Sequence, residues 1–118
     1  MANELTLNLN INFAKGNVRE NVAPGALTFT VSGTKIVRAV QSIGTTDEVL
    51  ALGEISSLGY LYIRNNDTTN YVEVGVDGTN YVVKLKAGEI ALFRVDGSAI
   101  HAKANTAACS CEYLLIED

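Results

Sequence analysis

The sequence predicts an all-β fold, a single antiparallel β-sandwich or barrel of about nine short strands that spans residues 1–118. Val, Ile and Thr, which favour strands, make up about a quarter of the chain. Gly and Asn, which favour turns, separate short apolar segments. No run of about ten residues has the apolar period of an amphipathic helix. These observations favour one domain of strands and tight turns.

The N-terminal part of the chain begins with the clearest strand, over residues 5–13. Its apolar residues, which alternate with polar ones, are Leu5, Leu7, Leu9, Ile11 and Phe13. This alternation is typical of a half-buried strand. A polar stretch then leads to Pro24-Gly25, which we expect to form a turn. Residues 27–31 predict a second strand and residues 35–42 a third.

The segment around residues 45–52 allows two interpretations. Thr45-Thr46-Asp47-Glu48 fits a capping box that opens a helical turn. Gly53 closes the apolar run after a few residues, which favours a fourth strand with Leu50 and Leu52 inward. The later segments predict strands over residues 60–64, 71–76, 81–85, 90–95, 100–103 and 110–116. Asp77-Gly78 predicts a two-residue hairpin turn between two of them.

Composition and charge exclude several classes of function. A net charge of −4 argues against nucleic acid as a partner, because phosphate binding needs a basic surface. One His and two Cys leave little material for a metal site or a His-based triad, so we expect no cofactor and no enzyme activity. The apolar runs are too short to cross a bilayer, and the N-terminus predicts no signal peptide. Cys109 and Cys111 are expected to be thiols that line a core.

Two groups of polar or aromatic residues are candidate sites. The loop that contains Asn65, Asp67 and Asn70 is rich in oxygen ligands, but with so few carboxylates we expect turn capping rather than calcium binding. Tyr60 and Tyr62 share one face of a strand, which suits a sugar-stacking platform, a protein interface or simple packing.

Several segments of the second half resemble a known family of virion proteins. They are residues 59–75 (GYLYIRNNDTTNYVEVG), 85–89 (LKAGE), 102–104 (AKA) and the acidic ending 112–118 (EYLLIED). Together they resemble small structural proteins of tailed bacteriophages that are encoded among head and tail genes. The resemblance covers residues 26–118 and implies a jelly-roll-like β-sandwich without catalysis. Within it, Asn65, Asp67 and Asn70 are expected to stitch a rigid loop, with Gly88 turning the chain into the next strand.

The resemblance leads to a specific functional hypothesis. We expect a capsid decoration or cement protein that binds the major capsid protein, stabilises the head lattice of the virion and forms homotrimers. Residues 1–13 are expected to add a strand to a neighbour, so the interface candidates are Leu5, Leu7, Leu9, Ile11, Phe13, Tyr60 and Tyr62. The alternatives are a tail, head–tail connector or fibre component, and a carbohydrate-binding module.

Overall fold

The computed structural model describes residues 2–118, and over this range the regular secondary structure consists of ten strands. They are β1 (Leu5–Lys15), β2 (Val18–Phe29), β3 (Ile36–Ile43), β4 (Glu48–Val49), β5 (Leu58–Asn65), β6 (Val72–Gly75), β7 (Tyr81–Leu85), β8 (Ile90–Arg94), β9 (His101–Ala104) and β10 (Cys109–Glu117). The all-β prediction is confirmed. Within the described residues, no helix is long and apolar enough to cross a membrane.

The chain divides into two compact units, the first ending at Ser32 and the second covering Gly33–Asp118. The first unit is an antiparallel hairpin of β1 and β2, paired from Leu5 opposite Phe29 to Lys15 opposite Val18. Gly16 lies in the two-residue turn at its tip with φ of 57°, a conformation that glycine adopts without steric cost. In this structure β1 therefore pairs with the chain's own β2.

The prediction for residues 18–25 is wrong, because this segment is strand rather than a polar stretch with a turn at Pro24-Gly25. Proline is tolerated here because both strands of a two-stranded sheet are edge strands, each with one side that pairs with no other strand. A residue without an N–H group can therefore be accommodated without the loss of a ladder hydrogen bond. The register shifts between Leu9 and Ile11, opposite this dipeptide, and Gly25 takes φ of 82°. A β-bulge thus absorbs the residues that suggested a turn.

The second unit is a sandwich of two four-stranded antiparallel sheets, with strand orders β3-β10-β5-β8 and β4-β9-β6-β7. Its first strand pairs with its last, its second with its last but one, and so on inward to β6 and β7. This nesting is one long hairpin folded over into two sheets, which is the topology of a jelly roll. The sandwich prediction is confirmed for residues 33–118.

The core of the second unit follows from period-2 alternation in strands that bury one face. Its largest fully buried side chains are Tyr113, Ile43, Leu50, Leu61, Ile63, Ile100, Leu115, Val72, Val74, Asn65, Cys109 and Cys111. Cys109 and Cys111 are free thiols, and burial raises the pKa of Cys111 to about 12. Both therefore act as small core residues rather than nucleophiles.

Two local predictions need correction. The fourth strand covers only Glu48–Val49, although Leu50 is buried as expected. The chain leaves the sheet there because side chains hold it instead: Gln41 accepts from the Ala51 N–H at 3.1 Å, and the Tyr113 hydroxyl donates to the Ala51 carbonyl at 2.7 Å.

The second correction concerns Asp77-Gly78, which lies in a five-residue loop over residues 76–80 rather than in a two-residue turn. The Asp77 carboxylate accepts from the backbone N–H groups of Thr79 and Asn80, at 2.9 and 2.6 Å. These bonds, the Asn80 bond foremost, lower the pKa of Asp77 to about 2. The side chain thus supplies the hydrogen bonds that a tight turn would have made within the backbone.

Candidate interaction surfaces

The hairpin of the first unit has one apolar face. The side chains of this apolar hairpin face are Leu5, Leu7, Leu9, Ile11, Phe13, Val22, Leu27 and Phe29, and Lys15, Val18 and Glu20 lie on the same side at the tip of the hairpin. Leu9, Ile11, Phe13, Val22 and Phe29 are each 37–51% exposed to solvent. The opposite face is polar, and there the Asn21 amide donates to the Asn10 side-chain oxygen at 3.1 Å.

This exposure is unusual for a regular alternating strand. Alternation normally buries one face, as the sequence predicted for residues 5–13, but the structure leaves that face largely in solvent. A two-stranded ribbon has no second layer, and on its own it is marginally stable in water. A contiguous exposed apolar face of this kind marks a protein contact.

A second exposed surface lies on the outward side of the sheet β3-β10-β5-β8, and we call it the outer tyrosine face. One cross-strand row runs Arg38, Leu114, Tyr62 and Leu92, and the next runs Val40, Glu112, Arg64 and Ile90. The inward neighbours of Tyr62 are Leu61 and Ile63, both fully buried, so Tyr62 points away from the core. Ile36, Val40 and Ile90 are more than half exposed.

The predicted pair Tyr60 and Tyr62 thus lies on one face, but the two rings differ in their surroundings. The Arg94 guanidinium lies 5.5 Å from the centre of the Tyr60 ring and forms an ion pair with Asp118. That ion pair raises the pKa of Arg94 further above its usual range. Tyr62 lies between Leu114 and Leu92 at the centre of the face.

The predicted structural loop is built around a buried amide. Asn65 donates from its side chain to the carbonyls of Asn70 and Leu85, at 2.9 and 3.1 Å. Its side-chain oxygen accepts from the Asp67 N–H at 3.0 Å, so all parts of the buried amide are engaged. Its backbone carbonyl accepts from the N–H of Gly88, which takes φ of 79°.

Asp67 continues this network on the outer side of the loop. Its carboxylate accepts from the N–H groups of Asn70 and Thr69, at 2.6 and 3.0 Å, and these bonds lower the pKa of Asp67. The structure therefore brings Asn65, Asp67, Asn70 and Gly88 together as one hydrogen-bonded unit. Asn65 Oδ1 and Asp67 Oδ2 accept from backbone N–H groups, and Asn70 Oδ1 accepts from the Thr106 hydroxyl at 2.7 Å, so these side chains brace the loop as turn caps.

Sequence reasoning missed a cluster of Asp47, Tyr81 and His101. Asp47 accepts from the Tyr81 hydroxyl, and its other oxygen lies 2.8 Å from His101 Nδ1. The Tyr81 bond lowers the pKa of Asp47, while Asp47 raises the pKa of Tyr81 to about 12. Tyr81 and His101 both lie opposite Gly75 across β6, so only the strand pairing joins residues this distant in sequence. The cluster ties three chain segments together.

A polar cavity of about 480 Å³ opens near the end of the chain. Its lining includes Arg94, Asp118, Asp96, Ser56, Ser57 and Ser98. Hydroxyl, carboxylate and guanidinium groups at this density suit a hydroxyl-rich ligand. Among residues 2–118, no group of three or more His, Cys, Asp or Glu side chains is arranged to hold a metal ion.

Comparisons with known proteins do not identify the chain: no family model, no curated protein and no solved structure matches it. The resemblance to phage structural proteins therefore stays a prediction. The fold itself defines an all-β protein with a jelly-roll unit and an apolar hairpin.

Proposed function

We propose that this chain is a non-enzymatic structural protein of a bacteriophage virion, a capsid decoration protein that binds and stabilises the head lattice. The observation that carries the proposal is the outer tyrosine face. It is a sheet surface with half-buried Tyr60 and Tyr62 and strongly exposed Ile36, Val40 and Ile90. Tyrosine, arginine and large aliphatic side chains are the types that dominate the centres of protein interfaces.

The charges of this face indicate the chemistry of its partner. Arg38, Arg64 and Arg94 lie on it together with Glu112, whereas the chain as a whole has a net charge of −4. Because Asp118 pairs with Arg94 and Glu112 lies opposite Arg64, the face is mainly apolar with a small net positive charge, and it fits a partner surface that is itself mainly apolar. We propose that this partner is the major capsid protein, with decoration trimers at three-fold positions of the lattice.

The jelly roll adds support by analogy. This topology recurs in viral capsid and lectin domains, although a fold alone does not assign a function. The segments that resemble phage proteins include β5, β6 and the Asn65 loop, which the structure holds rigid. A rigid sheet with an exposed apolar outer surface suits adhesion to a lattice.

The test is add-back of purified protein to heads that lack it, made from a genome with the coding region deleted. Wild type should bind these heads, and Tyr62→Glu should lose binding at least tenfold, because a carboxylate would lie at the centre of the apolar row. Val82→Glu is the matched control, since Val82 is 88% exposed on the other sheet. Equal binding of the two variants, or no binding by wild type, would contradict the proposal.

The polar cavity beside Arg94 favours carbohydrate binding as a second candidate function. Arg94, Asp96 and Asp118 line it, and the Arg94 side chain also packs over Tyr60. Glycan-array binding that is lost in Asp96→Ala, and in Tyr60→Ala beneath Arg94, would support this function. An array without signal for the wild-type chain would count against it.

A further inference from the structure

We infer that the apolar hairpin face is covered by the same face of a second copy of this chain. The inference concerns the first unit and does not depend on the proposed function, which uses the outer tyrosine face. The question it answers is what covers Leu9, Ile11 and Phe13, which are 43%, 51% and 49% exposed in the isolated chain.

The area of the face matches what a self-association needs. Its eight apolar side chains, five of them 37–51% exposed, present on the order of 500 Å² of apolar surface. Two such faces together bury on the order of 1,000 Å², which is about the lower limit for a specific protein interface. One hairpin face is therefore enough to cover another.

The residue pattern is complementary to itself. Leu7 lies opposite Leu27 and Ile11 opposite Val22, so apolar side chains run along both strands, and charged side chains join the face only at the tip, where Glu20 lies opposite Phe13 and Lys15 opposite Val18. Two ribbons that stack by these faces form a small two-layer sandwich about 10 Å thick, with their Asn-rich faces still in water. Edge-to-edge pairing of the ribbons would leave the apolar faces exposed, so stacking accounts for the exposure better.

Charge favours a copy of the hairpin over a charged partner surface. The hairpin carries two acidic residues, Glu4 and Glu20, and two basic ones, Lys15 and Arg19, so it is neutral. The remaining residues carry the whole net charge of −4. Copies of this acidic protein therefore meet with the least repulsion at their hairpins.

The experiment measures the mass of the full-length protein in solution, by light scattering coupled to size exclusion and without any capsid protein. Wild type should have at least two chain masses, and Ile11→Glu should shift it to one. Asn12→Glu is the matched control, because Asn12 is the next residue of the same strand and lies on the polar face. It should keep the wild-type mass.

Val22→Gln is a second test that adds no charge to the hairpin, in case Ile11→Glu unfolds it. This variant should also weaken the assembly at least tenfold. In parallel, amide hydrogen exchange in β1 should be slower at high protein concentration than at low concentration. A monomeric wild type at all concentrations, or equal dissociation of Ile11→Glu and Asn12→Glu, would overturn the inference. A capsid protein or another occupant would then remain to cover the face, and head binding would still test the proposed function separately.

Discussion

Asn65 is the one polar side chain among residues 2–118 that the fold buries completely. Its side chain bonds to three backbone groups in two segments, the Asp67 N–H and the Asn70 carbonyl of the following loop and the Leu85 carbonyl of β7. A buried amide of this kind stabilises a fold only while every bond is made, because each unpaired group then carries its full desolvation penalty.

We therefore predict that Asn65→Ala lowers the free energy of unfolding by about 2–4 kcal/mol, because it leaves the buried Leu85 carbonyl and two part-buried backbone groups without partners. Urea unfolding at neutral pH measures the change. Asn66→Ala is the control at an exposed neighbouring position and should change stability by less than about 0.5 kcal/mol. Similar losses in the two variants would contradict the role given to the buried amide.

The pH dependence of stability follows from the lowered pKa of Asp77, which falls from 3.8 to about 2 on folding. A carboxyl group whose pKa is lowered stabilises the fold above its unfolded pKa and loses that effect as the pH falls through the folded one. The stability difference between wild type and Asp77→Asn should therefore shrink as the pH falls from 4 to 2. Urea midpoints across this range measure it, with Asp96→Asn as a control on another exposed turn. A difference that stays constant would contradict the assignment.

At the scale of residues, the sequence predicted contacts between residues that are close in the chain and missed contacts between residues that are far apart in it. The bonds of Asn65 and Asp67 to nearby backbone follow from known turn chemistry, so the loop could be predicted. The Asp47, Tyr81 and His101 cluster depends on β6 pairing with both β7 and β9. No spacing in the sequence encodes that pairing.

Two glycines of the second unit lie where neighbouring backbone atoms leave no room for a side chain. Gly75 ends β6 where the register with β7 shifts, and a Cβ there would overlap the Asn80 carbonyl oxygen. At Gly59, at the start of β5, a Cβ would lie 2.6 Å from the Ile116 carbonyl oxygen. The backbone atoms that these Cβ atoms would meet cannot move without disturbing the hydrogen bonds between paired strands.

We predict that Gly75→Ala lowers the free energy of unfolding by more than about 2 kcal/mol, because the strand ends must move apart. Gly78→Ala is the matched control in the adjoining loop, since its Cβ would meet Asp47 at an ordinary contact distance of 3.5 Å. Thermal unfolding followed by circular dichroism compares the two. A smaller loss for Gly75→Ala than for Gly78→Ala would contradict the close approach.

Element boundaries show why residues 18–26, the larger part of β2, were not predicted as strand. Pro24-Gly25 is a turn signal in most settings, but in a ribbon without further strands a proline can occupy an edge. The alternating strands around Leu61, Val74 and Tyr113 were predictable because burial of one face imposes period 2. Strands can therefore be predicted from the sequence where one of their faces is buried in a core. Where a segment packs on no core, as in the hairpin, its pattern does not decide between strand and turn.

At the scale of the whole molecule, the buried core lies entirely within residues 33–118. We predict that a chain of residues 33–118 folds by itself, with a cooperative thermal transition close to that of the full-length protein at low concentration. Calorimetry of both chains measures this. The hairpin alone, residues 2–32, should lack stable strand structure as a monomer, since two strands cannot bury a core. A truncated chain without a cooperative transition would contradict this division.

The number of copies per particle decides whether this protein decorates a virion, as we propose. The measurement is quantitative mass spectrometry of purified virions of the phage whose genome encodes the chain. The number of copies of this protein is expressed relative to that of the major capsid protein. A decoration protein at three-fold lattice positions predicts hundreds of copies per head, in a fixed ratio to the capsid subunit. Copies sufficient only for a single ring would indicate a connector or tail component, and absence from purified particles would contradict a virion role altogether.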